Sequence, residues 1–164
     1  RYDYYLNDYL ETYAYCLLPN HFHLLVRVRE KGSDAIALSD SIDNIPKLVS
    51  TQFRRFFISY SQAINRQQNR IGSLFQKNFK RIRVENEKYL TNLIYYIHAN
   101  PQIHGLIDDF RNWPYSSYEK FLEAKKTHLP KDEVLNWFGS IAEYQTYHAI
   151  VHDMKKIKNY KIDD

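Results

Sequence analysis

The chain has 164 residues, enough for one domain with a real core but short for two, and its 23 basic and 19 acidic residues leave a net charge of +4. No apolar run approaches the length of a membrane span. The single cysteine, Cys16, excludes a disulfide framework and points to a reducing, intracellular home. The chain opens at Arg1 with neither a methionine nor a basic leader, so sequence preceding Arg1 is expected.

In chain order, residues 2–10 read as the remains of a helix. Residues 12–17 and 21–28 are β-type runs joined at Leu18-Pro19-Asn20, which predicts a hairpin. In the second run Phe22, Leu24, Val26 and Val28 form the apolar side, with His21, His23 and Arg27 opposite. Residues 31–44, rich in Ser and Asp, read as a loop. From 45 to about 68 the apolar spacing at Leu48, Phe53, Phe56, Phe57, Ala63 and Ile64 is helical. After Gly72 the run "LFQKNFKRIRV" reads as another strand, with exposed cations. Glu85-Asn86-Glu87 opens a helix to about Asn100, closed by Pro101 and Gly105. A short helix is expected at "WPYSSYEKFL", and a last helical stretch after Pro130. Strands alternating with helices, one pair of them a hairpin, predict an α+β architecture with helices on a small antiparallel sheet. A first strand before Arg1 would complete it.

Charge is unevenly spread. Residues 51–84 hold arginines and lysines but no Asp or Glu. A basic stretch interleaved with Tyr, Phe, Asn and Gln suits a phosphate backbone with bases stacked on aromatic rings. A solvated helix face would look the same by charge alone.

Two motifs carry chemistry. In "YCLLPNHFHLL", His21 and His23 stand two apart and share a strand face. In "KYLTNLIYYIHANP", Leu90, Leu93, Ile94 and Ile97 form one helix face, Tyr96 and Asn100 lie together along its border, and Tyr95 points nearly opposite. If that helix packs on the strand of histidines, two imidazoles, an amide oxygen and a phenol converge. Neutral imidazoles and an amide oxygen can hold a divalent ion with positions left for phosphate oxygens, and a tyrosine hydroxyl beside it can attack phosphorus. The competing reading is structural: satisfied core histidines, an interface tyrosine and an Asn at a helix end. His98, on the side of Tyr95, is expected to face DNA or solvent; Trp113, Tyr115 and Tyr118 are expected to pack.

"YCLLPNHFHLL" resembles the histidine–hydrophobic–histidine motif of the HUH single-strand nucleases. The downstream "GSLFQKNFKRIRVENEKYLTNLIYYIHANPQIHGLI" and "WPYSSYEKF" resemble the REP-associated tyrosine transposases and their insertion-sequence relatives, the likeness running from about residue 13 to 121. It implies a ferredoxin-like sheet with the histidines on a central strand, Mg²⁺ or Mn²⁺ held by His21, His23 and Asn100, and Tyr96 as nucleophile. It further implies cleavage of single-stranded DNA beside a hairpin through a 5′-phosphotyrosine, acting as a monomer or a homodimer in the bacterial cytoplasm near the nucleoid. The catalytic domain would span residues 1–126, with a mostly helical extension of unassigned role at 127–164. Arg54, Arg55, Lys77, Lys80, Arg81 and Arg83 are the candidates for the DNA backbone. A hairpin-binding protein that no longer cuts is the first alternative, and an RNA-binding module the second.

Overall fold

The computed structural model describes residues 1–29, 45–76, 79–85 and 89–150. The expected hairpin forms from β1 (Leu10–Leu17) and β2 (Phe22–Val28). A link this short joins only antiparallel strands, and the Leu18 amide closes it by donating to the His21 carbonyl at 2.9 Å. With the helices below, the architecture is α+β, as expected. Among the described residues the sheet has two strands. The chain divides into two compact units.

The first unit comprises Arg1–Glu11 and the described part of Arg27–Lys80. Its helices are α1 (Tyr2–Leu6) and α2 (Ile45–Gln67). They meet through Tyr2 and Phe56, whose ring centres are 5.8 Å apart. Gln52 donates to the Tyr9 hydroxyl at 3.0 Å. The run after Gly72 is not the strand expected: residues 74–76 and 79–84 have no strand pairing. Phe75 instead lies 4.4 Å from Phe57, and Phe79 lies 5.1 Å from Phe53, ring centre to ring centre. Packing Phe75, half-buried, and one side of the exposed Phe79 on α2 removes more apolar surface from water than an isolated edge strand would. Gly72, at φ +97, makes the turn, and its carbonyl accepts from Asn65 Nδ2 at 2.7 Å.

The second unit comprises Thr12–Val26 and the described part of Arg81–Asp164. Its central element is α3 (Leu90–Ile103), buried on every side from Leu93 to Pro101. The helix starts later than expected, since Glu85 lies outside it and residues 86–88 fall outside the described residues. Pro101 sits in its last turn rather than ending it, and Gly105, at φ +67, follows. The segment "WPYSSYEKFL" forms a 3₁₀ turn at Glu119–Phe121. The C-terminal helical stretch is two helices, α4 (Lys131–Phe138) and α5 (Ile141–Ala149), and residues 151–164 fall outside the described residues. Gly139, at φ +103, breaks the run, and Ser140 caps α5 by accepting from the Glu143 amide at 3.2 Å. Tyr13 of β1 stacks on Trp137 at 4.9 Å and donates to Glu133 at 3.0 Å, which ties α4 to the hairpin. Ile94, Phe121, Val134 and Tyr144 are fully buried in this core.

Candidate functional site

The faces of β2 differ in depth from the expectation. His23 and Leu25 are the buried positions, Phe22, Leu24 and Val26 are half-buried, and Val28 is exposed. The reason is α3, which covers the histidine side. The His23 ring lies 6.0 Å from the Tyr96 ring, and the His21 ring stands edge-on to His23 at 5.0 Å. His21 also meets His104, just past the end of α3, at 5.4 Å. Tyr96 is 3% exposed.

One turn along α3, Asn100 is fully buried and donates Nδ2 to the Tyr96 carbonyl at 3.3 Å. That bond turns the amide so that Oδ1, also buried, has no hydrogen-bond partner among the described residues. An amide oxygen left so in a core costs about 1–3 kcal/mol, which calls for a functional explanation. The Nε2 atoms of His21 and His23 are likewise shielded from water. Imidazole nitrogens and an amide oxygen are donor types that a small divalent ion such as Mn²⁺ accepts. Among the described residues no three His, Cys, Asp or Glu side chains are grouped to hold an ion, so such a site depends on the amide.

His98 departs most from its expected place. It faces neither DNA nor solvent but is fully buried. Its Nδ1 is 3.0 Å from His148 Nε2, and its Nε2 is 2.7 Å from Ser117 Oγ. His148 Nδ1 lies 2.8 Å from the Tyr144 carbonyl, which only accepts. His148 donates from Nδ1, and with both rings neutral the order continues: His98 donates to His148 and the Ser117 hydroxyl donates to His98. Ser117 Oγ in turn accepts the Tyr15 amide of β1 at 2.9 Å. Burial and the neighbouring His148 hold His98 well below the usual imidazole range, so its ring is neutral.

The two sequence motifs are therefore joined by a hydrogen bond. The histidine of "YIHANP" and the second serine of "WPYSSY" link α3 to β1. Trp113 adds a bond from Nε1 to the Leu17 carbonyl at 2.9 Å, and Ser116 bridges Cys16 in antiparallel fashion. Tyr118 packs as expected, while Tyr115 is exposed. Tyr95 does not point to solvent: it is buried against Phe110 at 5.6 Å and His148 at 5.7 Å. Helix phase separated it correctly from Tyr96 but could not show that α3 is covered on both sides. Sequence reading also passed over Asn20, whose Oδ1 is 2.7 Å from His21 Nδ1.

Arg54 and Arg55 are exposed on α2 and Lys80 is exposed at the end of the first unit, while Arg81 and Arg83 are exposed in the second. Lys77 lies outside the described residues.

No family model matches the chain. A protein of Haemophilus influenzae (strain ATCC 51907 / DSM 11121 / KW20 / Rd), named "Putative REP-associated tyrosine transposase", is 32% identical over 118 residues, which is 70% of this chain. Over that segment the chain is similar to this REP-associated tyrosine transposase. It spans 62% of that relative's length. A solved REP-associated tyrosine transposase bound to a REP hairpin superposes with a TM-score of 0.49 and 20% identity, covering 73% of this chain and 61% of that one. Among the described residues no helix is long and apolar enough to cross a membrane.

Proposed function

We propose that the chain is a DNA strand transferase that cuts and rejoins single-stranded DNA beside a hairpin, with Tyr96 as nucleophile. The observation that carries this reading is the approach of His23 to Tyr96 at 6.0 Å, with the buried Oδ1 of Asn100 one helical turn away. The Tyr96 hydroxyl oxygen attacks phosphorus, a new O–P bond forms, and the bond from phosphorus to the 3′ oxygen breaks. The phenolic proton is balanced by the one gained at the leaving 3′-OH. The 5′ phosphate stays on Tyr96 and is returned to another 3′-OH by the reverse step, so no nucleotide is consumed. His21, His23 and Asn100 would hold Mg²⁺ or Mn²⁺, which when bound supplies Lewis-acid polarisation of the phosphate. Arg54, Arg55, Lys77, Lys80, Arg81 and Arg83 are the proposed backbone contacts. Residues 1–126 would carry the catalysis, and the extension from 127 contributes helices that pack in the core around His98.

The near-complete burial of Tyr96 favours a second reading, a hairpin-binding protein that does not cut. One experiment separates them. Incubation with hairpin-flanked oligonucleotides and Mn²⁺, followed by a denaturing gel, yields a covalent adduct that is absent in Tyr96→Phe if the first holds. Binding in a native gel with no adduct on any oligonucleotide of the panel establishes the second.

A further inference from the structure

We propose that Asn20 is a positioning residue for this site, holding His21 as the tautomer protonated at Nδ1 so that its lone pair sits on the buried Nε2. The role in metal binding rests on the function proposed above, while the tautomer itself does not.

Asn20 Oδ1 lies 2.7 Å from His21 Nδ1, and an amide oxygen can only accept. The ring nitrogen facing it must carry the proton. A neutral imidazole has one N–H, so Nε2 is left as the acceptor. That nitrogen is shielded from water, whereas Asn20 is exposed on the hairpin turn. The turn fixes the pair: Pro19 restricts the backbone before Asn20, and the Leu18 amide holds the His21 carbonyl at 2.9 Å. An ion ligand needs its lone pair toward the ion, and an oxygen accepting from the far ring nitrogen both orients the ring and raises its basicity. The opposite tautomer would aim an N–H at the place an ion would take. The short spacing of Pro19, Asn20 and His21 in "LLPNHFH" thus has a physical use beyond making a turn.

The test is ring ¹⁵N correlation spectroscopy on the metal-free protein at alkaline pH, with the His21 signals assigned by their loss in His21→Gln. The wild type is expected to show His21 protonated at Nδ1. Asn20→Ala should move the proton largely to Nε2, and Asn20→Asp, which keeps the acceptor, should restore it. Mn²⁺ titration by calorimetry should show affinity about tenfold or more weaker in Asn20→Ala and regained in Asn20→Asp. His21 protonated at Nε2 in the wild type, or a tautomer unmoved in Asn20→Ala, overturns the proposal. A wild type that binds no Mn²⁺ overturns the metal site instead, and the spectra still decide the role of Asn20.

Discussion

Ser117→Ala tests how α3 is held to the hairpin. The hydroxyl donates to His98 Nε2 at 2.7 Å and accepts from the Tyr15 amide at 2.9 Å. Ser117 and His98 are both fully buried, so water does not replace the missing group. Truncation leaves one acceptor and one donor unsatisfied, at about 1–3 kcal/mol each. The sum is roughly 2–6 kcal/mol, and about 3 kcal/mol corresponds to a fall in melting temperature of roughly 6–12 °C for a chain of this size. The neighbouring Ser116→Ala is the control. Ser116 Oγ makes only long contacts, to the Trp113 carbonyl at 3.4 Å and from the Tyr118 amide at 3.3 Å, so its loss should cost under about 1 kcal/mol. Urea unfolding followed by circular dichroism measures both. Equal losses in the two variants, or under about 1 kcal/mol in Ser117→Ala, would refute the clamp.

The buried imidazole also predicts acid sensitivity. His98 is neutral in the fold and its unfolded counterpart titrates near 6.5, so its contribution is complete above that pH and is lost as pH falls toward the depressed folded value. Urea midpoints should drop between about pH 7 and pH 5, with a limiting slope of about 1.4 kcal/mol per pH unit per proton; a flat profile contradicts this. Asn100→Leu removes a buried, unsatisfied oxygen, so the metal-free protein should melt no lower than the wild type while Mn²⁺ ceases to raise the melting temperature. A persistent Mn²⁺ shift would remove Asn100 from the ligand set. Affinity for hairpin DNA should fall steeply with salt, and Arg54→Ala or Arg55→Ala should each lower the slope by about one. An unchanged slope would take that exposed pair off the interface.

The hairpin and α2 follow from patterns visible in the residues: turn residues between β-type runs, and phenylalanines at helical spacing. The strand expected after Gly72 failed because Phe75 and Phe79 are as suited to docking on a helix as to alternating in a strand, and only the rings of α2 decide between them. The division of the C-terminal helix was written in Gly139-Ser140 with Glu143 three residues on, a capping signal that the long polar stretch obscured. For α3, helix phase put Tyr96 and Asn100 on a common border; Tyr96 stands beside His23, and Asn100 bonds to the Tyr96 carbonyl one turn along. It misplaced His98 because phase arguments presume one buried face, whereas Tyr144 and His148 of α5 cover the other side. The partners of a buried polar group come from distant segments, and no local pattern specifies them.

The central claim is that Tyr96 becomes bonded to DNA. Tandem mass spectrometry of the nuclease-trimmed adduct, after proteolysis, reads this directly. The account predicts a nucleotide mass on Tyr96 with Tyr95 unmodified. A modification on Tyr95 or on any other residue would contradict it.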